Sequence, residues 1–477
     1  MDIIDVNKKI INEKKEIEIS NEIIVPDIKP DILNIICTNG IAYVHKQEII
    51  NKNLKIDGNV ETTVVYLSND GDTKSMQTTL NFNHKIENDV ITETSFVKHN
   101  VKIKELISKM INERKINIIA KLEIECNIYE KQEIKFYNDF ENIEGLQKQE
   151  ETITLNSIIG SNSSKASINE EINVDNIDIV SEILKSDITV TNIESKVSYN
   201  KILAKAEANI SLIYLTEDNR ISNVDTSFPV MSFIEISNVK EENICDLDYQ
   251  IRNFALKINN SEKHIIECQI DFEITCQVFE KRNINIINDL YSLNNDLNYN
   301  KEEIELEVNN EKNSELIKVD EKIEINNIKK IFEIESKVII SEDTEIEFKI
   351  YYETSEKNVL NVKTVKLPVM KKLSKDCIIK TNKKEFSIDG NNCLLQMEFE
   401  AIQNNLSNKK ISLIQNIESK PSQNKDDYSV VVYFVKPNDT IWKIAKKFKV
   451  TMDSIIKLND LENPDLIYPG DKLYVLR

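Results

Sequence analysis

The chain has 477 residues, of which 40% are apolar and 30% charged, and it carries a net charge of −20. This is the balance of a soluble globular protein of about three domains, and its acidity argues against nucleic acid or an anionic membrane as partner. Only seven residues are glycine (Gly40, Gly58, Gly71, Gly145, Gly160, Gly390 and Gly470), the closest pair thirteen apart. That spacing excludes Walker A, dinucleotide-binding and kinase phosphate loops, and the nucleophile elbow of α/β-hydrolases.

Seven cysteines are scattered without a CxxC pair, a pattern that fits free thiols in a reducing compartment. The start, Met1-Asp2-Ile3-Ile4-Asp5, has no basic region followed by an apolar core, so no signal peptide is expected. No apolar run approaches eighteen residues, so no transmembrane helix is expected either. The default address is the cytosol.

Along the chain, alternation predicts strands. Leu54, Ile56, Val60, Thr62, Val64 and Tyr66 share one face, as do Ala204, Ala206, Ala208, Ile210, Leu212 and Tyr214, and then Ile346, Phe348, Ile350 and Tyr352. Ile193-Glu194-Ser195-Lys196-Val197 recurs unchanged as Ile334-Glu335-Ser336-Lys337-Val338, and Phe228-Pro229-Val230-Met231 is matched by Leu367-Pro368-Val369-Met370. Each stretch closes on a further alternating segment, the first containing Cys126, the second Cys276 and the third Cys393. The repetition predicts three related β units at about 20–148, 150–298 and 315–415. The third is shorter between Val338 and Tyr352 than the second is between Val197 and Tyr214. Within this pattern, Val101 to Met110 and Asn283 to Leu293 fit helical spacing as well, and periodicity alone does not decide between helix and strand.

Four of the eight prolines and the single Trp lie from Pro421 onward. A polar linker is expected at 416–427, followed by a compact unit at 428–477. Val430 to Val435 is β-prone, Asp439 is the expected N-cap of a helix carrying Ile441, Trp442, Ile444, Ala445 and Phe448, and Thr451 is the expected cap of a second. Lys472 to Leu476 closes a βααβ order. In sequence, Lys436-Pro437-Asn438-Asp439-Thr440-Ile441-Trp442, Leu458-Asn459, Asn463-Pro464-Asp465-Leu466-Ile467 and Tyr468-Pro469-Gly470-Asp471-Lys472-Leu473 resemble a LysM module throughout. The departure is Asn438, where the family usually has Gly; Asn tolerates a left-handed backbone better than most residues. The resemblance implies a shallow groove for N-acetylglucosamine polymers lined by Asn438, Asp439, Thr440, Ile441, Pro464, Asp465, Leu466 and Ile467. Trp442 falls on the helix face with Ala445 and is expected in the core.

The three β units followed by a LysM module resemble spore-coat morphogenetic proteins of the SipL and SpoVID type, whose repeated unit is the SPOCS domain. The resemblance implies a mother-cell cytosolic protein at the forespore surface that joins the polymerising coat-basement ATPase and other coat proteins to the growing envelope. Its LysM would take a protein partner, an N-acetylglucosamine-containing glycan or a lipid-linked precursor. The rival expectations are a LysM-targeted wall-remodelling enzyme and a simple wall-binding protein.

Nothing in the chain calls for chemistry. His45, His84, His99 and His264 lack zinc-site spacing. Cys126 and Cys276 lie on apolar strand faces and are expected to be core residues rather than nucleophiles. Tyr66, Tyr214 and Tyr352 are expected to be structural strand ends. No catalytic residue, metal or cofactor is expected.

Overall fold

The structure, a computed structural model, describes residues 2–136, 140, 143–175, 177–309, 313–340, 344–356, 358–369, 373, 377–403, 406–422 and 430–476. Nearly all of it is antiparallel β-structure, in keeping with the β-branched alternation of the sequence. The chain opens with β1 (Asp2–Ile24), β2 (Ile32–Ile50), β3 (Asn53–Ser68), β4 (Thr73–Glu87), β5 (Phe96–Asn112) and β6 (Lys115–Phe136). It continues with β7 (Leu146–Asn173), β8 (Val180–Ser198), β9 (Lys201–Thr216), β10 (Ile221–Glu235), β11 (Ile244–Ile258) and β12 (Ile265–Ser292). Next come β13 (Asn295–Asn309), β14 (Asn313–Glu324), β15 (Ile328–Ile340), β16 (Thr344–Thr354), β17 (Leu360–Val369), β18 (Ile378–Asp389), β19 (Asn392–Gln403) and β20 (Leu406–Pro421). The C-terminal module is β21 (Val430–Phe434), α1 (Ile441–Phe448), α2 (Met452–Leu458) and β22 (Lys472–Leu476).

The meanders β2-β3-β4, β8-β9-β10 and β15-β16-β17 each form a three-stranded sheet. Each faces a second sheet, with orders β1-β6-β5, β11-β12-β7 and β14-β19-β18. In the first pair, Leu54, Ile56, Val60 and Val64 of β3 pack with Ala120, Leu122, Ile124 and Cys126 of β6, all fully buried. Cys126 and Cys276 are both buried core residues, as their apolar faces require. Tyr66 and Tyr214 are buried and Tyr352 half-buried, so they are not a surface stripe; the Tyr66 hydroxyl donates to Pro30 O and that of Tyr214 to Asp178.

Two segments whose spacing fits helix and strand alike are strand. Val101 to Met110 lies inside strand β5, and Asn283 to Leu293 runs along β12 as far as Ser292. Apolar residues in a stretch this short satisfy helical and strand spacing alike. Pairing decides: Ile103 lies opposite Leu122 and Ile107 opposite Ile119 on β6, while Ile284 and Ile286 lie opposite Ile153 and Glu151 on β7.

Turns explain how so few glycines suffice. Among the described residues eleven non-glycine positions have positive φ, and seven of them are Asn. Asn51-Lys52 and Tyr199-Asn200 each supply two successive left-handed residues, which is the type I′ requirement of a two-residue hairpin.

Three further contacts tie the sheets together. Val65, Ile213, Leu215 and Tyr351, from the middle strands β3, β9 and β16, meet in one buried cluster with Leu184 and Phe332. Beside it, the Lys185 ammonium is enclosed between Glu333 (2.7 Å) and Glu335 (2.8 Å). Elsewhere, β1, β6, β7, β12, β13 and β20 share a second cluster through Ile4, Phe136, Leu155, Ile286, Leu306 and Leu413. β20 pairs with β13 as far as Pro421, opposite Asn295, so the first residues of the expected linker are strand. Residues 423–427 of that linker, and Met370 of the Leu367-to-Met370 match, lie outside the described residues. Among the described residues no helix is long and apolar enough to cross a membrane.

Candidate functional site: the C-terminal module and its dock

The module closes on a small core of Tyr433, Val435, Ile441, Ile444, Ala445, Ile455, Leu473 and Val475. Asn438 takes the left-handed conformation, φ 67°, that the turn before α1 needs, and the Lys443 ammonium donates to its carbonyl at 2.7 Å. The N-cap of α1 is Thr440 and not Asp439: the Thr440 hydroxyl accepts from Lys443 N at 3.2 Å. Asp439 is already engaged one step earlier, its carboxylate accepting from Lys436 N at 2.8 Å and from the Tyr433 hydroxyl at 2.7 Å. Those two donors hold its carboxyl below the ordinary value. Thr451 caps α2 by accepting from Ser454 N.

The second loop is a turn in which Asn463 Oδ1 accepts from Asp465 N and Leu466 N donates to Asn463 O. Gly470, at φ 99°, donates its N–H to Val435 O at 2.9 Å; a side chain is strained in that backbone region. Of the eight expected groove residues, Asn438, Thr440, Asp465 and Leu466 are exposed, Asp439, Pro464 and Ile467 half-buried, and Ile441 buried. Ile441 and Ile467 join the same apolar cluster, so both loops are anchored to one core. Leu466 and, beside it, Tyr468 are 59% and 62% exposed.

The module is docked on the end of β12. There the register between β12 and β7 shifts from Ile287 to Asp289, a bulge of the kind that re-aims a side chain. Asp289 accepts from Trp442 Nε1 at 2.9 Å, from the Lys446 ammonium at 2.6 Å and from the Tyr299 hydroxyl at 2.6 Å. Burial opposes its ionisation, but the bonds from Lys446, Trp442 and Tyr299 prevail and hold the carboxyl at about 2. Tyr291 packs edge-on against Trp442, with ring centroids 4.9 Å apart, and its hydroxyl donates to Val450 O at 2.7 Å. Lys449 pairs with Asp296 and bonds Ser422 Oγ at 2.9 Å. The dock uses one face of α1 and the residues after it, and leaves Asn438, Thr440, Asp465 and Leu466 in solvent.

Comparison with known proteins identifies two domains. The LysM domain model matches residues 433–475 and the SipL, SPOCS domain model matches residues 179–259. The chain carries a SipL SPOCS domain and a LysM domain. It is 51% identical over 45 residues to the spore coat assembly protein ExsA of Bacillus cereus, a stretch covering 9% of this chain and 7% of that one. It is 47% identical over 45 residues to SpoIVD-associated factor A of Bacillus subtilis (strain 168), covering 9% and 12%, and 46% identical over 39 residues to the uncharacterized protein YkzQ of the same strain, covering 8% and 51%. The chain therefore spans only a small part of the first two relatives. No solved structure matches it.

The SPOCS domain match runs from just before β8 to just after β11 and so takes in the whole β8-β9-β10 sheet. The dock of the LysM domain escaped the sequence pattern. Trp442 is buried as expected, but its indole is shared with β12 rather than confined to the LysM core. Asp289 and Tyr291 sit in the segment whose spacing fits helix and strand alike, Tyr299 lies on β13, and nothing local distinguishes the three from other strand residues.

Proposed function

We propose that the chain is a non-enzymatic scaffold of spore-coat assembly. It is built from three copies of the SPOCS unit, and it links basement-layer coat proteins to the forespore surface from the mother-cell side. The observation that carries this reading is the union, in one chain, of a SipL SPOCS domain with a LysM domain docked so that its two loops face solvent. The three-copy reading is supported by the recurrence of a three-stranded meander facing a second sheet, and by the equivalent places of Tyr66, Tyr214 and Tyr352, each two residues before the end of the middle strand. The names of ExsA and of SpoIVD-associated factor A point the same way.

In this reading the LysM loops form the specific contact, through Asn438, Asp439, Thr440, Ile441, Pro464, Asp465, Leu466 and Ile467. A protein partner or a peptidoglycan-type glycan would be held by the exposed Leu466 and the polar Asn438, Thr440 and Asp465. A fluorescent fusion of the full chain, followed through sporulation, tests the scaffold: a ring around the forespore is expected, and diffuse vegetative fluorescence would refute it. Titrating chitin oligomers and coat proteins against the full chain and a Leu466→Asp variant separates the ligands. Loss of one class of binding in the variant assigns the groove. A lytic band in peptidoglycan zymography would instead establish the wall-remodelling alternative.

A further inference from the structure

Cys245 and Cys276 lie on neighbouring strands of one sheet. The register sets Leu247 of β11 opposite Cys276 of β12, so Cys245 is the diagonal neighbour of Cys276 on the same face. Both pack in the core of the second unit. The Cys276 S–H donates to the Cys245 sulfur, and the competing acceptor, Gln277 O, stands at 3.8 Å. Both thiols are free. The equivalent places in the other units hold no such pair. Cys126 lies opposite His99 and Cys393 opposite Ile388, and the strands on either side of them carry no cysteine among the described residues.

The two sulfurs are unlike. Cys245 is half-buried, and the bond from Cys276, against burial and with help from Ser195, holds its thiol at about 7. Much of it is therefore thiolate at neutral pH, the form that reacts. Cys276 is fully buried, and the same bond together with burial raises its thiol, so it keeps its proton. A reachable thiolate touching a buried thiol is the arrangement of an attacking and a resolving cysteine. A third group stands by. The Tyr249 hydroxyl, on the same face of β11, is enclosed without a partner among the described residues, and a charge on Cys276 would raise it. A buried donor with nothing to bond is costly, and an oxygen added to sulfur would satisfy it.

We propose that Cys245 and Cys276 form a peroxide-responsive dithiol site, oxidised in two steps to a disulfide between β11 and β12. In the first, the Cys245 thiolate attacks one oxygen of hydrogen peroxide, the O–O bond breaks, hydroxide leaves and Cys245 becomes a sulfenic acid. In the second, the Cys276 sulfur attacks the Cys245 sulfur, the S–O bond breaks, and the departing hydroxide takes the Cys276 proton as water. The two sulfurs lose the two electrons that peroxide gains. Diagonal Cα atoms of an antiparallel pair stand about 7–8 Å apart, at the upper end of what a disulfide spans, so the bond forms under strain and is readily reduced by a dithiol. β11 can give, since it is an edge strand with a bulge between Ile251 and Asn253. It is also where the second unit meets the first. Asp246 pairs with Lys98, Gln250 donates to His99 O at 3.3 Å, and Arg252 donates to Val44 O at 2.8 Å. Oxidation therefore acts on the junction of two units. The site goes beyond the proposed scaffold role and does not depend on it.

The full chain, reduced and then freed of reductant, is treated with a small excess of hydrogen peroxide at neutral pH, alkylated, and mapped by mass spectrometry without reduction. The peptide carrying Cys245 is expected to be joined to the one carrying Cys276, with the loss of two hydrogens, while Cys126 and Cys393 are alkylated. Dithiothreitol is expected to restore both peptides. Cys276→Ala should stop at the first step, leaving a sulfenic acid on Cys245 that dimedone traps. Cys245→Ser should slow the loss of the Cys276 thiol more than about tenfold. It changes only a half-buried side chain, so it decides the matter if Cys276→Ala unfolds. A wild type whose Cys245 stays reduced, is oxidised without the link, or links only to another chain overturns the proposal. A Cys245→Ser variant that loses the Cys276 thiol as fast as the wild type overturns it too.

Discussion

The indole N–H of Trp442 donates to a carboxylate oxygen of Asp289 at 2.9 Å, across 153 residues of sequence. Because Lys446 and Tyr299 bond the other oxygen, a single carboxylate fastens the LysM domain to the β12 strand. Asp289→Ala is expected to weaken the dock by about 2–3 kcal/mol, the cost of orphaning charged hydrogen bonds. Trp442 is the only Trp in the chain, so its emission reports the dock and shifts to the red in the variant. The sign with pH follows from a carboxyl held at about 2 against an ordinary 3.8. The contribution is fully present above 3.8 and is lost as pH falls through 2. Wild-type emission should therefore hold steady above pH 4. An unshifted spectrum in Asp289→Ala would remove Asp289 from the role.

Much of this fold is written locally, and the dock is not. Alternation in Leu54 to Tyr66 and in Ala204 to Tyr214 marks strands because one face is core and the other solvent. The segments around Ile103 and Ile284 lose that contrast and were resolved only by the strands beside them. Thr440 and Asp439 are both good caps, and which one serves depends on Tyr433 and Lys436 claiming Asp439 first. The LysM module was legible because its pattern is contiguous. Asp289 was not, because its meaning comes from a register shift and from partners more than 150 residues away.

The Lys185 site makes a second prediction, about how the β-sheets hold together. Its ammonium lies between Glu333 and Glu335, and the Tyr351 hydroxyl bridges Glu335 Oε2 (3.1 Å) and Asn39 Oδ1 (2.7 Å). Residues 39, 185 and 333–351 belong to three different sheets. Burial disfavours the charge of Glu335, but Lys185 outweighs it and lowers the carboxyl's pKa; at Glu333 burial wins and raises it. Lys185→Met leaves these carboxylates enclosed without their cation and is expected to cost about 3–5 kcal/mol in chemical denaturation. Replacing all three charges, Lys185→Met with Glu333→Leu and Glu335→Leu, should recover most of that loss. A triple variant no more stable than the single one would show that packing and not charge sets the cost.

Cysteine reactivity should separate Cys245 from the buried thiols. Cys126, Cys268 and Cys393 are buried, and burial raises each thiol, the first two to about 12. Cys245 is half-buried, and a hydrogen bond from Cys276, helped by Ser195 and opposed by burial, lowers it to about 7; the same contact raises Cys276. Brief alkylation at pH 7.5, read by peptide mass mapping, is expected to label Cys245 well before Cys126, Cys268, Cys276 or Cys393. Its rate should climb with a midpoint near pH 7. The Cys276→Ala variant removes the donor and moves that midpoint up toward an ordinary thiol.

The acid limb of stability should carry the mark of His99. This residue stands on β5 opposite Cys126, and its Nδ1 is enclosed without a hydrogen-bond partner among the described residues. Burial, and then the nearby Arg252 charge, lower the imidazole to about 3. Lys98 and Asp246 form an ion pair beside it, Gln250 donates to its backbone carbonyl, and Arg252 is tied to Glu273. The folded state keeps His99 neutral while the unfolded chain takes up a proton below about 6.5. Its contribution is thus complete above 6.5 and falls as pH drops toward 3, by about 1.4 kcal/mol per pH unit. His99→Gln abolishes that share of the slope, so its denaturation midpoint should change less than the wild type's between pH 6.5 and 4.5. Equal slopes in the two proteins would mean that the imidazole is protonated in the folded state as readily as in the unfolded one.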